Sequence, residues 1–196
     1  MQALAATTEL DSVNIMLSTI GESPINTLAA DQSMVEVAIA RAVLLEVTKQ
    51  VQEEGWNFNT EIEWVLTPDV NGFIFIPSNC IQVDLSGLST DTSMRITARG
   101  LKVYNRISHT FIFTAPITVD MVVMQTFDDM PEASRHYITI RSARVFQQRV
   151  IGSETLGGFT EKDEVRARAS LKKLDGDNSR YNILSGSYSV ARTLYR

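Results

Sequence analysis

One cysteine and two histidines are all that this 196-residue chain holds of the thiol and imidazole ligands that most often build metal and redox sites. Cys80, being alone, excludes an internal disulfide and fits a reducing compartment. It lies in I-P-S-N-C-I-Q-V beside an expected strand, where a buried, inert thiol is the natural reading. His109 and His136 fall in different predicted elements, so no zinc set is expected. No apolar run approaches the ~18 residues needed to cross a bilayer, which argues against membrane insertion. The first residues lack a basic segment followed by an apolar one, so no secretory signal is expected. Neither a G-x-x-x-x-G-K-[ST] phosphate loop nor a G-x-S-x-G nucleophile elbow occurs, and no cofactor is expected. The net charge of −5 opposes general affinity for phosphate backbones. It leaves room for DNA to pass through a wide, weakly repulsive channel.

Carboxylates, by contrast, are plentiful at 23 Asp and Glu. A glycosidase needs two of them at a defined separation, and Asp128 with Asp129 or Glu132, Glu61 with Glu63, and Asp69 with Asp84 are the candidate pairs. Twenty-three acids make such pairs by chance, and two of the three sets have a structural explanation. Asp128, Asp129 and Glu132 stand where a helix dipole favours negative charge, and Glu61 and Glu63 read as the outward face of a strand. The arginines Arg135, Arg141, Arg144, Arg149, Arg166 and Arg168 could form a nucleic-acid face. Interleaved acids and the lack of stacking aromatics favour a solvated face or intersubunit ion pairs instead.

Most of the pattern is architectural. Thr8 and Asp11 form a capping box for a first helix over Glu9–Ile20, with Leu10, Val13, Leu17 and Ile20 as its apolar stripe. Gly21 and Pro24 end it. A second capping box, Ser33 with Glu36, opens a helix running to about Glu54, with Val35, Ala38, Ile39, Ala42, Leu45, Leu44, Val47 and Val51 as a broad apolar face. At ~22 residues it would span ~33 Å. Gly55 closes it, and Trp56 and Phe58 follow as aromatic core plugs.

From Ile62 to Phe127 the chain breaks into short β-branched and aromatic runs separated by turn residues, and no crossover helix intervenes. Six or seven strands in an antiparallel sheet, sandwich or small barrel are expected. Helical periodicity returns after Pro131, with Tyr137, Ile140, Ala143, Phe146 and Val150 as the buried face of a third helix. Thr160 and Asp163 cap a fourth, over about Glu161–Leu174, whose apolar set is Val165, Ala169, Leu171 and Leu174. The last residues carry turn chemistry yet keep Tyr181, Ile183, Leu184, Tyr188, Val190, Leu194 and Tyr195, too many apolar side chains for a solvated tail. They read as an arm that docks on a neighbour or partner, although folding back onto its own domain would leave the same pattern.

The fold expectation is α+β: a four-helix bundle domain in two halves, residues 1–59 and 129–178. An antiparallel β insertion interrupts it at 60–128, and a C-terminal docking arm follows at 179–196. Six segments in order resemble the tail tubular protein A family, the head-to-tail adaptors of short-tailed podoviruses. They are S-V-N-I-M-L-S-T-I-G-E-S-P at 12–24, G-W-N-F-N at 55–59, L-T-P-D at 66–69, R-G-L-K-V-Y-N-R at 99–106, D-D-M-P-E at 128–132 and Y-N-I-L-S-G at 181–186.

The resemblance implies a structural virion protein without catalysis, made in the host cytoplasm and seated at the head–tail junction. It implies a ring of copies, twelve-fold in this family, between the portal protein and the tail nozzle protein, whose lumen continues the path for genome ejection without specific DNA binding. Tyr181, Ile183, Leu184, Tyr188 and Leu194 are the expected partner contacts, and no catalytic, cofactor or metal residue is assigned. The rival reading is a tail-associated polysaccharide-degrading glycoside hydrolase, and a third is a DNA-binding protein whose affinity falls steeply with salt.

Overall fold

The computed structural model describes residues 6–28, 35–87, 94–152 and 161–178. Four helices, α1 (Glu9–Thr19), α2 (Val35–Gln52), α3 (Glu132–Val150) and α4 (Glu161–Asn178), flank five strands. The strands are β1 (Thr60–Leu66), β2 (Cys80–Leu85), β3 (Ile96–Arg99), β4 (Lys102–Asn105) and β5 (Ile117–Val123). The mixed architecture of helices interrupted by antiparallel sheet is the one expected.

The start of α1 follows from local chemistry. Asp11 N–H donates to the Thr8 hydroxyl, and the Asp11 carboxylate accepts from the Thr8 N–H and hydroxyl, closing a reciprocal capping box. Those bonds, the Thr8 hydroxyl foremost, hold the Asp11 carboxyl below its ordinary range. After Gly21, at φ 81°, the chain doubles back, and the Asn14 amide takes hold of Ile25 at two points. Its Nδ2 donates to the Ile25 carbonyl at 3.0 Å, and its Oδ1 accepts the Ile25 N–H at 2.8 Å. Ile25 is thereby seated in the helical core.

That core is built around α3, which packs on α1, α2 and α4. Contact on three sides explains why Ser134, Thr139, Ser142 and Gln147 are buried alongside Tyr137, Ile138, Ala143 and Phe146. Ser12 and Thr139 hydroxyls meet at 2.7 Å across the α1–α3 contact. Val150, expected inside, is 40% exposed at the last position of α3.

Two helical faces differ from expectation. On α2 the core side is Val37, Ala40, Val43, Leu44, Val47 and Val51, while Val35, Ala38, Ile39, Ala42 and Leu45 face outward. The helix is apolar on two sides, and periodicity alone does not say which side meets α3. It ends at Gln52 rather than about Glu54, and its 18 described residues span ~27 Å; the capping position Ser33 lies outside the described residues. On α4 the buried residues are Ala167 and Leu171, with Val165 and Ala169 exposed, and the helix continues through Gly176 to Asn178. Glu164 and Arg168 occupy its inward edge, where they pair with Arg144 and Glu54.

The β part has a separate core of Leu66, Ile74, Ile76, Ile96, Val103, Phe113, Ile117, Val119, Met121 and Val123. A three-stranded antiparallel sheet of order β1–β5–β2 and a hairpin of β3 and β4 both contribute to it. Among the described residues there are five strands rather than six or seven. The F-I-F-I and F-I-F-T runs make only isolated bridges, Phe73 to Ile112 and Phe75 to Lys102, though they still supply Ile74, Ile76 and Phe113 to the core.

The two parts are joined where the chain leaves α2 and where it returns from β5. Gln52, fully buried, donates from Nε2 to the Gln125 carbonyl at 3.1 Å and accepts the Gln125 N–H on Oε1 at 2.7 Å. The G-W-N-F-N elbow locks the same corner. Trp56 Nε1 donates to the Val51 carbonyl, Asn59 Oδ1 accepts the Trp56 N–H, and Asn59 Nδ2 donates to the Gln52 carbonyl. Gly55 sits at φ 70° with Val122 close to where a Cβ would stand.

Candidate assembly surfaces

Four of the carboxylates singled out for chemistry, Asp69, Asp84, Asp129 and Glu132, are engaged locally. Asp129 accepts from the Thr126 hydroxyl at 2.6 Å, and Glu132 accepts from the Thr7 N–H and hydroxyl at 2.8 and 2.6 Å. Asp69 Oδ1 accepts the N–H groups of Asn71 and Phe73, shaping the turn before the F-I-F-I run, and Asp84 accepts the Leu85 N–H. Glu61 and Trp64 flank a bulge in β1, where Ile62 and Glu63 together oppose Asp120. The Glu63 N–H donates to the Asp120 side chain at 2.9 Å, and Glu63 takes φ 56° there.

Cys80 begins β2 half-buried, its thiol against the Gln82 carbonyl at 3.2 Å, and burial pushes its pKa up, away from thiolate reactivity. His136 is exposed on α3, and His109 stands in a turn 3.5 Å from the Tyr104 hydroxyl. Among the described residues no group of three or more His, Cys, Asp or Glu converges to hold a metal ion, and no helix is long and apolar enough to cross a membrane.

The arginines are engaged within the chain. Arg149 grips Glu46 through both terminal nitrogens at 2.7 and 2.9 Å, tying α3 to α2 and holding the Glu46 carboxyl below its usual range. Arg144 pairs with Glu164 across α3–α4, and Arg168 reaches Glu54 at 2.7 Å. Arg141 donates to the Tyr137 hydroxyl and to Gln50, and Arg135 to the Thr7 carbonyl. Solvated cations would serve a phosphate backbone better than these cross-helix clamps. Arg144, Arg149 and Arg168 thus make ion pairs within the chain, while Arg166 stays exposed beside Asp163 of its own helix.

A cavity of about 670 Å³ opens at one end of the β part, between Leu85, Ser86, Met94, Asn105 and the 112–118 segment. Among the described residues Glu63 is the one carboxylate in its lining, and glycoside hydrolysis requires a facing pair.

What stands out is apolar surface. On α2, Val35 is 65% exposed and Leu45 56%, with Ile39, Ala38 and Ala42 between them at helical spacing. Leu45 also lines a cleft of about 320 Å³ between α2 and the return segment Met124–Phe127. A second surface is β1, an edge strand on which Ile62, Trp64 and Val65 are exposed. Trp64 pairs with Val119 and so points to the core side of the sheet, yet 47% of it faces solvent. Lone exposed apolar residues are ordinary; contiguous ones mark contacts. The five residues expected as partner contacts, Tyr181, Ile183, Leu184, Tyr188 and Leu194, lie outside the described residues, as does the arm they belong to. Sequence reading missed the β1 edge, because strand order is set by distant pairing.

A family profile described as Tail tubular protein matches residues 10–181. No curated protein sequence matches the chain.

Proposed function

The chain belongs to the tail tubular protein family, structural components of the phage tail, and on that footing we propose that it is a head-to-tail adaptor. Copies join into a ring, twelve-fold on the resemblance described above, between the portal protein and the tail nozzle protein, and the lumen carries the genome outward. The outer face of α2 supports this most directly. Val35, Ala38, Ile39, Ala42 and Leu45 form a stripe that nothing among the described residues covers, and the two alanines let another backbone come close. An acidic chain also suits a conduit that must not trap a sliding polyanion. The subunit needs no cofactor for this work, and its contacts with DNA are passive.

Sedimentation of the purified chain, alone and with portal complexes, followed by electron microscopy of the product, tests the proposal. A ring beneath the portal is the expected image. Ile39→Glu with Leu45→Glu should abolish the ring while leaving the helical circular-dichroism signal intact. Normal rings from that double variant would remove α2 as the joint, and portals that never acquire the protein would refute the adaptor role.

A further inference from the structure

Cations are treated differently in the two parts of the molecule. All seven arginines of α2, α3 and α4 are ion-paired within the chain. Between residues 94 and 119 the sequence holds Arg95, Arg99, Lys102 and Arg106 and no acid at all. Among the described residues none of those four has an ion-pair partner. Arg99 stands directly opposite Lys102 at the end of the β3–β4 hairpin, on the face away from buried Ile96 and Val103. The Arg99 guanidinium rests on the Tyr104 ring at 3.6 Å and the Lys102 ammonium over the Phe73 ring at 3.9 Å, so both heads are held in place.

The three-stranded sheet carries the same arrangement with the opposite sign. Asp84 on β2 stands directly opposite Asp120 on β5, on the face away from buried Val119 and Met121. Their carboxylates accept backbone N–H groups, of Leu85 at 2.8 Å and of Glu63 at 2.9 Å, but neither has an ion-pair partner among the described residues. Like charges directly opposite each other destabilise a sheet, and this fold keeps one such pair of each sign. Opposite residues stand ~4.5–5.5 Å apart at Cβ, so the two cations and the two carboxylates match in spacing.

We propose that the Arg99/Lys102 end of the hairpin docks on the Asp84/Asp120 pair of a second copy of this chain. The two pairs lie on separate sheets, so the contact is head-to-tail, the kind that closes a ring when the rotation allows. It rests on the ring reading above and names a joint for it: the α2 stripe supplies apolar burial, and the charge pairs set which faces meet. Nucleic acid fits the hairpin less well, because Tyr104 lies buried beneath Arg99 rather than open to a base, and the chain as a whole carries −5.

Sedimentation of the full chain over a concentration series provides the test. Wild type should self-associate at low salt and less so as salt rises. Arg99→Glu with Lys102→Glu should weaken association about a hundred-fold, and so should Asp84→Lys with Asp120→Lys. Mixed in equal amounts, these two reversed chains should associate as wild type does, since each hairpin then meets a sheet of opposite sign. Circular dichroism checks that each is folded; if either is not, Arg99→Gln with Lys102→Gln carries the test, with association weakened about ten-fold. Reversed or glutamine chains that associate normally alone would overturn the joint. So would a mixture of folded reversed chains that stays apart, or a wild type that is monomeric at every concentration. If portal complexes acquire the protein in any of those cases, this joint fails and the adaptor role stands. Duplex DNA held by wild type and released by the glutamine variant would assign the hairpin to nucleic acid and overturn the pairing of copies.

Discussion

Gln52 should be worth far more to this protein than a surface glutamine. Its side chain is fully buried and makes two hydrogen bonds to the backbone of Gln125, at 3.1 and 2.7 Å, where the β part rejoins the helices. Gln52→Leu keeps the approximate volume but removes both partners. The net loss for two such bonds is ~1–3 kcal/mol, and each polar group left buried without a partner adds ~1–3 kcal/mol unless water reaches it. Allowing for partial hydration at Gln125, which is only half-buried, the expected loss is about 2–4 kcal/mol. Against a total stability of ~5–15 kcal/mol, that moves a urea midpoint by an easily measured amount.

Gln52→Glu makes the reasoning sharper. A carboxylate can still accept the Gln125 N–H but cannot donate to the Gln125 carbonyl. Burial raises its pKa in the folded state above the unfolded value of ~4.3, so the folded form binds the proton more tightly. The penalty is then full at neutral pH and shrinks as pH falls through the raised pKa toward ~4.3. Urea titrations of wild type, leucine and glutamate variants between neutral and mildly acid pH decide the matter. A leucine variant within ~0.5 kcal/mol of wild type would show that the clasp contributes nothing, since surface changes lie in that range.

Asn14→Ala should cost ~1–2 kcal/mol in the same assay, because both bonds to Ile25 go and the elbow after α1 is freed. Thr8→Ala should cost ~1 kcal/mol as the loss of a helix cap. The Asp11 carboxyl is held below its ordinary pKa, so its contribution is present above ~3.9 and is lost as pH falls through the lowered native value. Asp11→Asn should accordingly flatten the acid limb of a melting-temperature profile, and an unchanged limb would contradict that. The purified chain should leave bacterial polysaccharides uncut, and new reducing ends that disappear with acid-to-amide variants would establish the enzymatic rival.

Local devices were legible in the sequence. The Thr8/Asp11 box and the glycines at 21 and 55 act through residues a few positions away, so spacing identifies them. Choices that depend on distant packing were not. On α2, two apolar stripes compete, and only the position of α3 assigns Val37, Val43 and Val47 inward. On α4, Ala167 is buried and Val165 exposed, with Glu164 and Arg168 anchored by ion pairs to α3 and to the turn after α2. The F-I-F-I run has strand chemistry but finds single bridges in place of a ladder. Gln52 looks like an ordinary polar residue closing an amphipathic helix, and its role appears only once Gln125 is beside it. The candidate surfaces follow the same rule: exposure belongs to the assembled fold, whereas apolar character alone is visible in the chain.

Because the polypeptide departs from α2 and comes back at neighbouring points, the β body hangs from the helices as a graft on a single root. Exchanging it for a short turn would leave Gln52 and Gln125 already side by side, and the bundle without a gap to span. Lineages could therefore remodel what the graft displays while the helical stock stays as it is.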